Sequence, residues 1–207
     1  MKNRWKNFWK KFWDIVWKDD SFKGWIISII FLFVVIKFIF FPLLNLATGT
    51  ALPLAIVESC SMHHQGTLFS DYSDWYDRHV TKYSDLNIAK IQFKEFKLKR
   101  GFTKGDILFI VGTKPEKIDI GDIIIFEGGT NHPIIHRVVG IKQENGEYIF
   151  STIGDNNNGQ LSSELEISED QIVGKAAFRI LPYVGWIKLV FFEPIRPDYE
   201  KGFCEER

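Results

Sequence analysis

The chain has 207 residues, 26 basic against 26 acidic, 45% hydrophobic and 15% aromatic, which suffices for one ordinary domain plus an extra segment and is too aromatic for a disordered chain. The zero net charge excludes wholesale phosphate neutralisation, and with it a nucleic-acid partner. Two cysteines, Cys60 and Cys204, provide neither a disulfide framework nor a cysteine-rich zinc site; they leave the redox compartment open, and whether they pair with each other.

The charge is unevenly spread. Residues 1–23 hold seven Lys or Arg against three Asp, which points to a membrane surface. Within residues 4–18, Trp5, Trp9, Trp13 and Trp17 recur every four positions beside Phe8, Phe12 and Val16. That spacing predicts an amphipathic helix suited to the lipid headgroup layer, rather than one packed on another protein. Asp19-Asp20-Ser21 breaks it, with Ser21 placed to cap the next helix. Residues 24–44 then form an apolar run of the length needed to cross a bilayer. Its one charge, Lys37, lies near the distal end and reads as a snorkelling anchor. The run is too long for the apolar part of a cleaved leader, although Leu46-Ala47-Thr48-Gly49 offers small residues for a cut. No Lys or Arg stands between the span and Arg78. The charge bias predicts a single-pass protein of the cell membrane, with a cytoplasmic N-terminus and residues 45–207 on the extracytoplasmic side.

After Gly49 the pattern changes to short β-type runs: 54–59, 106–111, 122–127, 133–141, 148–152, 172–180 and 186–192, each rich in Val, Ile or Phe and separated by turn residues. They predict a mainly β outer domain, a compact sandwich or barrel. Lys104-Gly105-Asp106 and Ile120-Gly121-Asp122 each launch such a run, a weak internal echo. Residues 65–100 are dense in Asp, Lys and aromatics and read as an insertion with short amphipathic helices at 71–81 and 85–96. The run at 186–192 is too short for a second span.

Three segments could converge to supply a nucleophile, a base and a group that orients the base. Ser59-Cys60-Ser61-Met62 ends the first strand, His136-Arg137-Val138-Val139 lies within another, and Gly154-Asp155-Asn156-Asn157 turns out of a third. In this order, followed by Gly174-Lys175 and Pro182-Tyr183-Val184-Gly185-Trp186 and preceded by the anchor, they cover nearly the whole chain. The chain thereby resembles the signal peptidase I family, in its archaeal and endoplasmic-reticulum branch. The resemblance implies a signal-peptidase-like β-fold behind the amphipathic helix and one transmembrane helix. It further implies a serine endopeptidase that removes signal peptides from secreted preproteins after small residues.

Carried over to these positions, the likeness makes Ser61 the nucleophile, His136 the general base where the bacterial branch has a lysine, and Asp155 the orienting acid. On an extended segment Ser59 shares a face with Ser61 and could help hold the oxyanion; a locally bonded strand hydroxyl is the alternative. A substrate would add as a strand along 54–59, so that Leu54, Ile56, Ser59 and Met62 are expected to touch it. The implied partners are signal peptides, membrane lipid and the protein translocation machinery, with no cofactor.

Two residues depart from the family pattern. Cys60 stands where glycine is common, and it is expected to be a small buried residue rather than the nucleophile. Leu161 stands where a second acid often follows, which leaves Asp155, Glu164 and Glu166 as candidates for the third member. His63, His64, His79 and His132 lack the tight ligand spacing of a zinc site, so no metal is expected; His63 and His64 are expected at the cleft rim or in solvent. A tethered β-domain that binds peptides or partner proteins without cutting them is the competing reading.

Overall fold

The computed structural model describes residues 2–66, 71–129 and 132–206, except for the side chains of residues 2, 3 and 199. The chain forms two compact units, residues 1–47 and 48–207. Part of the insertion expected at 65–100, residues 67–70, lies outside the described residues.

The first unit is helical. Helix α1 (Lys2–Lys18) ends before Asp19, whose carboxylate accepts the Ser21 amide (2.9 Å), and Ser21 Oγ in turn accepts the Gly24 amide (3.1 Å) at the start of α2 (Phe22–Val35). Ser21 is therefore the cap that its position in the sequence suggests. Helix α1 turns back on α2: the Phe12 and Phe31 rings lie 5.3 Å apart, and Ser28 Oγ donates to the Val16 carbonyl (2.8 Å). The four tryptophans are exposed.

Helix α2 continues through a π-helical turn (Ile36–Phe40) into α3 (Phe41–Thr48), giving 27 helical residues from Phe22 to Thr48, apolar enough by composition to cross a membrane. At 1.5 Å per residue this is about 40 Å, enough to cross a hydrocarbon core of about 30 Å. The wide turn precedes Pro42, whose ring and missing N–H would otherwise conflict with the turn before it. Lys37 lies in that turn, its Nζ 5.7 and 5.5 Å from the Phe33 and Phe38 ring centres.

The second unit is mainly β. Strands β1 (Leu54–Ile56), β2 (Ile107–Val111), β3 (Ile123–Phe126), β4 (Ile134–Glu144), β5 (Glu147–Ile153), β6 (Ile167–Ser168) and β7 (Ile172–Leu181) form one antiparallel sheet in the order β1-β2-β7-β3-β4-β5-β6. Six of the seven runs expected as strands are strands; the two-residue β6 gave no sequence signal. The two Gly-Asp turns share one construction. Gly105 and Gly121 have φ of 90° and 94°, the left-handed region that glycine enters freely. Asp106 and Asp122 accept the amides of Thr103 and Asp119, three residues back (2.9 and 3.1 Å), and pair with Arg179 and Lys175 on β7.

The run 186–192 is not a strand. Trp186–Leu189 is one helical turn, α7, started by Gly185, whose amide donates to the Gly105 carbonyl (2.7 Å), and held by Trp186 Nε1 on the Lys104 carbonyl (3.0 Å). A short apolar run carries no period that separates strand from buried helix, and here Leu189 alone is buried.

The insertion folds as three short helices, α4 (Tyr72–Arg78), α5 (Val80–Asp85) and α6 (Lys90–Glu95), where two were expected. Asn87, with φ of 58°, turns the chain between the last two. They bury Trp75, Tyr76, Tyr83, Ile88 and Phe93 against Val139 and Ile153 of the sheet. The face carrying Val138 and Phe150 packs a separate cluster with Ile118, Ile124 and Ile167. This parity along β4 and β5 decides what the next residues can reach.

Candidate active site

His136 and Arg137 are consecutive on β4, so their side chains leave opposite faces of the sheet. His136 shares its face with Val138 and, across the pair Val138–Thr152, with Thr152. There the buried carboxylate of Glu164 accepts from His136 Nδ1, from Thr152 Oγ1 (3.2 Å) and, through its other oxygen, from the Leu161 amide (2.7 Å). Glu164 ends a 3-10 turn (Ser162–Glu164), and the bond to Leu161 folds its side chain back into the sheet face instead of out to solvent.

Arg137 leaves the other face, and Asp155 goes with it. Asp155, fully buried, takes Arg137 Nε and Nη2 (2.9 and 2.6 Å), Tyr83 Oη (2.7 Å) and His64 Nε2 (2.9 Å). Burial alone would raise the Asp155 carboxyl, but the guanidinium and the His64 hydrogen bond outweigh it and hold the group well below the usual carboxylate range. The expectation that Asp155 orients His136 is thus corrected: its carboxylate is engaged by the insertion and by Arg137, and the acid on the imidazole is Glu164. Glu166, the third candidate, is exposed.

His63 and His64 are interior rather than on a rim. His63 Nδ1 meets Thr103 Oγ1 (3.0 Å), and His64 is stacked flat on Trp75 at 3.6 Å. Desolvation, only partly offset by Asp155, lowers the His64 imidazole to about 4. Met62 is also interior. It is 1% exposed within the core cluster, and its Sδ accepts the Asp155 amide (3.3 Å), so it cannot touch a bound peptide as expected.

Ser59 and Ser61 follow β1, which ends at Ile56, earlier than the run 54–59 suggests. The chain bends instead, with the His63 amide on the Cys60 carbonyl (3.1 Å), and the two serine hydroxyls lie 3.1 Å apart. The Gly-Asp-Asn turn packs directly on this bend: the Asn156 amide donates to the Ser61 carbonyl (2.7 Å), and Asn156 Nδ2 donates to that of Cys60 (3.0 Å). A Cβ on Gly154 would stand 2.9 Å from the Ser61 carbonyl, which is why the turn opens with glycine. Cys60 is disulfide-bonded to Cys204 and has no free thiol.

Ser59, Ser61 and His136 line one cavity of about 730 Å³, together with Leu54, Ile56 and Leu161. Strand β1 is the edge of the sheet. Val57 spends its backbone groups on the turn leading into β2, donating to Asp106 and accepting from Gly105 (2.9 and 2.8 Å), so by alternation those of Leu54 and Ile56 face the open side. An exposed edge beside a hydroxyl pair and a carboxylate-bound imidazole is an arrangement able to hold an extended peptide and attack it. Among the described residues, no three His, Cys, Asp or Glu converge on a point that could hold a metal.

The chain is 33% identical over 100 residues to the human and dog proteins named signal peptidase complex catalytic subunit SEC11C, covering 45% of this chain and 52% of each relative. Its relatives are signal peptidase catalytic subunits. The SEC11 signal peptidase catalytic subunit of the fungus Colletotrichum graminicola is 29% identical over 102 residues, covering 46% of this chain and 59% of the relative. The chain spans about half the length of the curated SEC11C relatives it matches. No family model and no solved structure matches it.

Proposed function

We propose that this protein is a membrane-anchored serine endopeptidase that cleaves signal peptides from preproteins. Ser61 is the nucleophile, His136 the general base and Glu164 the group that orients it. The observation that carries the proposal is the buried Glu164 carboxylate on His136 Nδ1, with that imidazole lining the same cavity as Ser61. Glu164 fixes the tautomer with the proton on Nδ1, which leaves Nε2 to take the Ser61 proton as Oγ attacks the scissile carbonyl. The imidazolium then returns that proton to the leaving amine, and water hydrolyses the acyl-enzyme by the same route. Ser59 Oγ donates to the oxyanion; one such donor is worth about 2.7 to 4 kcal/mol of transition-state stabilisation.

The substrate lies extended along the open edge of β1, over Leu54 and Ile56. The helix Phe22–Thr48 anchors the protein, with the basic N-terminal segment and α1 on the cytoplasmic side and residues 48–207 across the membrane. A signal peptide whose apolar part spans the same bilayer then meets the enzyme at high effective concentration. The names of the relatives support a catalytic subunit working within a complex, with signal peptides as substrates; partner subunits, lipid and the translocation machinery surround it in this reading.

The test is cleavage of a preprotein by the purified protein in lipid vesicles, with N-terminal sequencing of the product. Wild type is expected to cut at one site after a small residue, and Ser61→Ala and His136→Ala to leave the substrate whole. An uncut substrate with wild type would replace this reading with a peptide-binding domain that lacks catalysis.

A further inference from the structure

The segment from Glu193 to Glu206 converges on the bend that carries Ser61. Arg196 donates to the Glu58 carbonyl (2.9 Å) and carboxylate (3.1 Å). Cys204 is bonded to Cys60, between the two serines. The Glu205 carbonyl accepts Asn156 Nδ2 (2.9 Å), the same amide that donates to the Cys60 carbonyl. Glu206 takes Arg78 Nε and Nη2 (2.9 and 3.0 Å) and the Gln65 amide (3.1 Å). The start of the segment is itself fixed: Lys104, 1% exposed, pairs with Glu193 and donates to the Glu200 and Gly202 carbonyls (2.7 and 3.3 Å), while Phe203 packs on Trp186.

From residue 58 to 65 the nucleophile bend is therefore gripped at Glu58, Cys60 and Gln65 directly, and at the Ser61 carbonyl through Asn156. The bend has few ladder bonds of its own, since β1 stops at Ile56. A nucleophile displaced by about 1 Å loses on the order of a hundredfold in rate, so what grips the bend sets turnover. One covalent bond closes the grip.

We propose that residues 193–206 are a positioning strap for Ser61 locked by the Cys60–Cys204 disulfide, so that the peptidase works in its oxidised form and slows when the bond is opened. This rests on the function proposed above. Opening takes a thiol reductant: a dithiol such as dithiothreitol gives two electrons and two protons to the Sγ–Sγ bond, leaving Cys60 and Cys204 as thiols and the reagent as its cyclic disulfide. Cys60 and Cys204 are positioning residues, since neither touches the reacting atoms.

The experiment uses the full chain in lipid vesicles and a preprotein substrate without cysteine. The values of kcat and KM are measured oxidised, after dithiothreitol with the two thiols counted by mass spectrometry, and after reoxidation with diamide. Tryptophan fluorescence and the unfolding midpoint are followed on the same samples. The expected result is a fall in kcat of at least about tenfold, with KM within about twofold, the native fluorescence retained at the assay temperature, and recovery on reoxidation. A Cys60→Ala, Cys204→Ala double variant should show the reduced kcat and ignore dithiothreitol. Unchanged kcat in protein whose thiols are both counted would overturn the strap alone. A loss of turnover that only accompanies unfolding would also overturn it, in favour of plain stabilisation. If oxidised wild type does not cut, the proposed function falls, and the strap with it.

Discussion

The Glu164→Gln substitution separates the geometry described here from a reading centred on the Gly-Asp-Asn motif. Glu164 is fully buried and accepts three hydrogen bonds, from His136 Nδ1, Thr152 Oγ1 and the Leu161 amide. Glutamine keeps the volume, and its one carbonyl oxygen can hold the Leu161 amide or the imidazole. If the NH₂ group faces His136, it donates to Nδ1 and moves the ring proton to Nε2, the nitrogen that accepts from Ser61 in the proposed mechanism. A misplaced tautomer of this kind costs about 10³ to 10⁴ in kcat, or about 4 to 5.5 kcal/mol of transition-state stabilisation. The stability cost is smaller, about 1 to 3 kcal/mol for a buried acceptor lost. The assay is steady-state cleavage of a preprotein by vesicle-reconstituted protein, reading kcat and KM separately, beside an unfolding curve in detergent. The expected outcome is a collapse in kcat with KM nearly unchanged and the protein still folded, while Glu166→Gln, at an exposed position, behaves as wild type. Glu164→Gln that keeps kcat within about tenfold of wild type would refute the assignment of Glu164 as the orienting acid.

Asp155→Ala acts through folding instead: it leaves the Arg137 guanidinium buried without its carboxylate, and losing one partner of a buried pair costs about 3 to 5 kcal/mol, read as a lowered unfolding midpoint with Glu164 intact. Gly154→Ala places a Cβ 2.6 Å from Asn157 Nδ2 and 2.9 Å from the Ser61 carbonyl; overpacking of this kind costs about 1 to 3 kcal/mol, and kcat should fall further than stability does because the bend itself is pushed. The His64 imidazole drops from its ordinary 6.5 to about 4 on folding, so the folded protein binds fewer protons than the unfolded chain between those values. Its contribution of about 3 kcal/mol is complete above pH 6.5 and lost as pH falls towards 4; denaturant unfolding at a series of pH values should show that slope, and a His64→Gln variant should lack it.

Much of this architecture was legible because its signals are local. The apolar run reads by its length alone as a helix long enough to cross a membrane, Ser21 caps α2 from a position that only its neighbours define, and the repeated Gly-Asp steps fold into the same turn twice. Ser59 and Ser61 were placed together by a two-residue spacing, although a bend rather than an extended strand brings their hydroxyls within 3.1 Å. What failed was set at long range. Asp155 and Glu164 both follow β5, and only the sheet parity, with Arg137 and His136 on opposite faces, sends one to the insertion and the other to the imidazole. Met62 adjoins Ser61 in sequence yet turns into the core. Trp186–Leu189 has the composition of a strand and is wound into a helical turn by its contacts with Gly105 and Lys104. Two cysteines 144 residues apart in sequence give no spacing from which a pairing could be read, so the segment gripping the Ser59–Ser61 bend left no trace in the sequence pattern.

The most direct test of the central claim is intact-protein and peptide mass spectrometry after rapid acid quench of the protein with excess preprotein. The account predicts an acyl adduct on the peptide containing Ser61, present in wild type and absent in His136→Ala. Cleavage with the adduct on another residue, or with none formed while product accumulates in a burst, would contradict it.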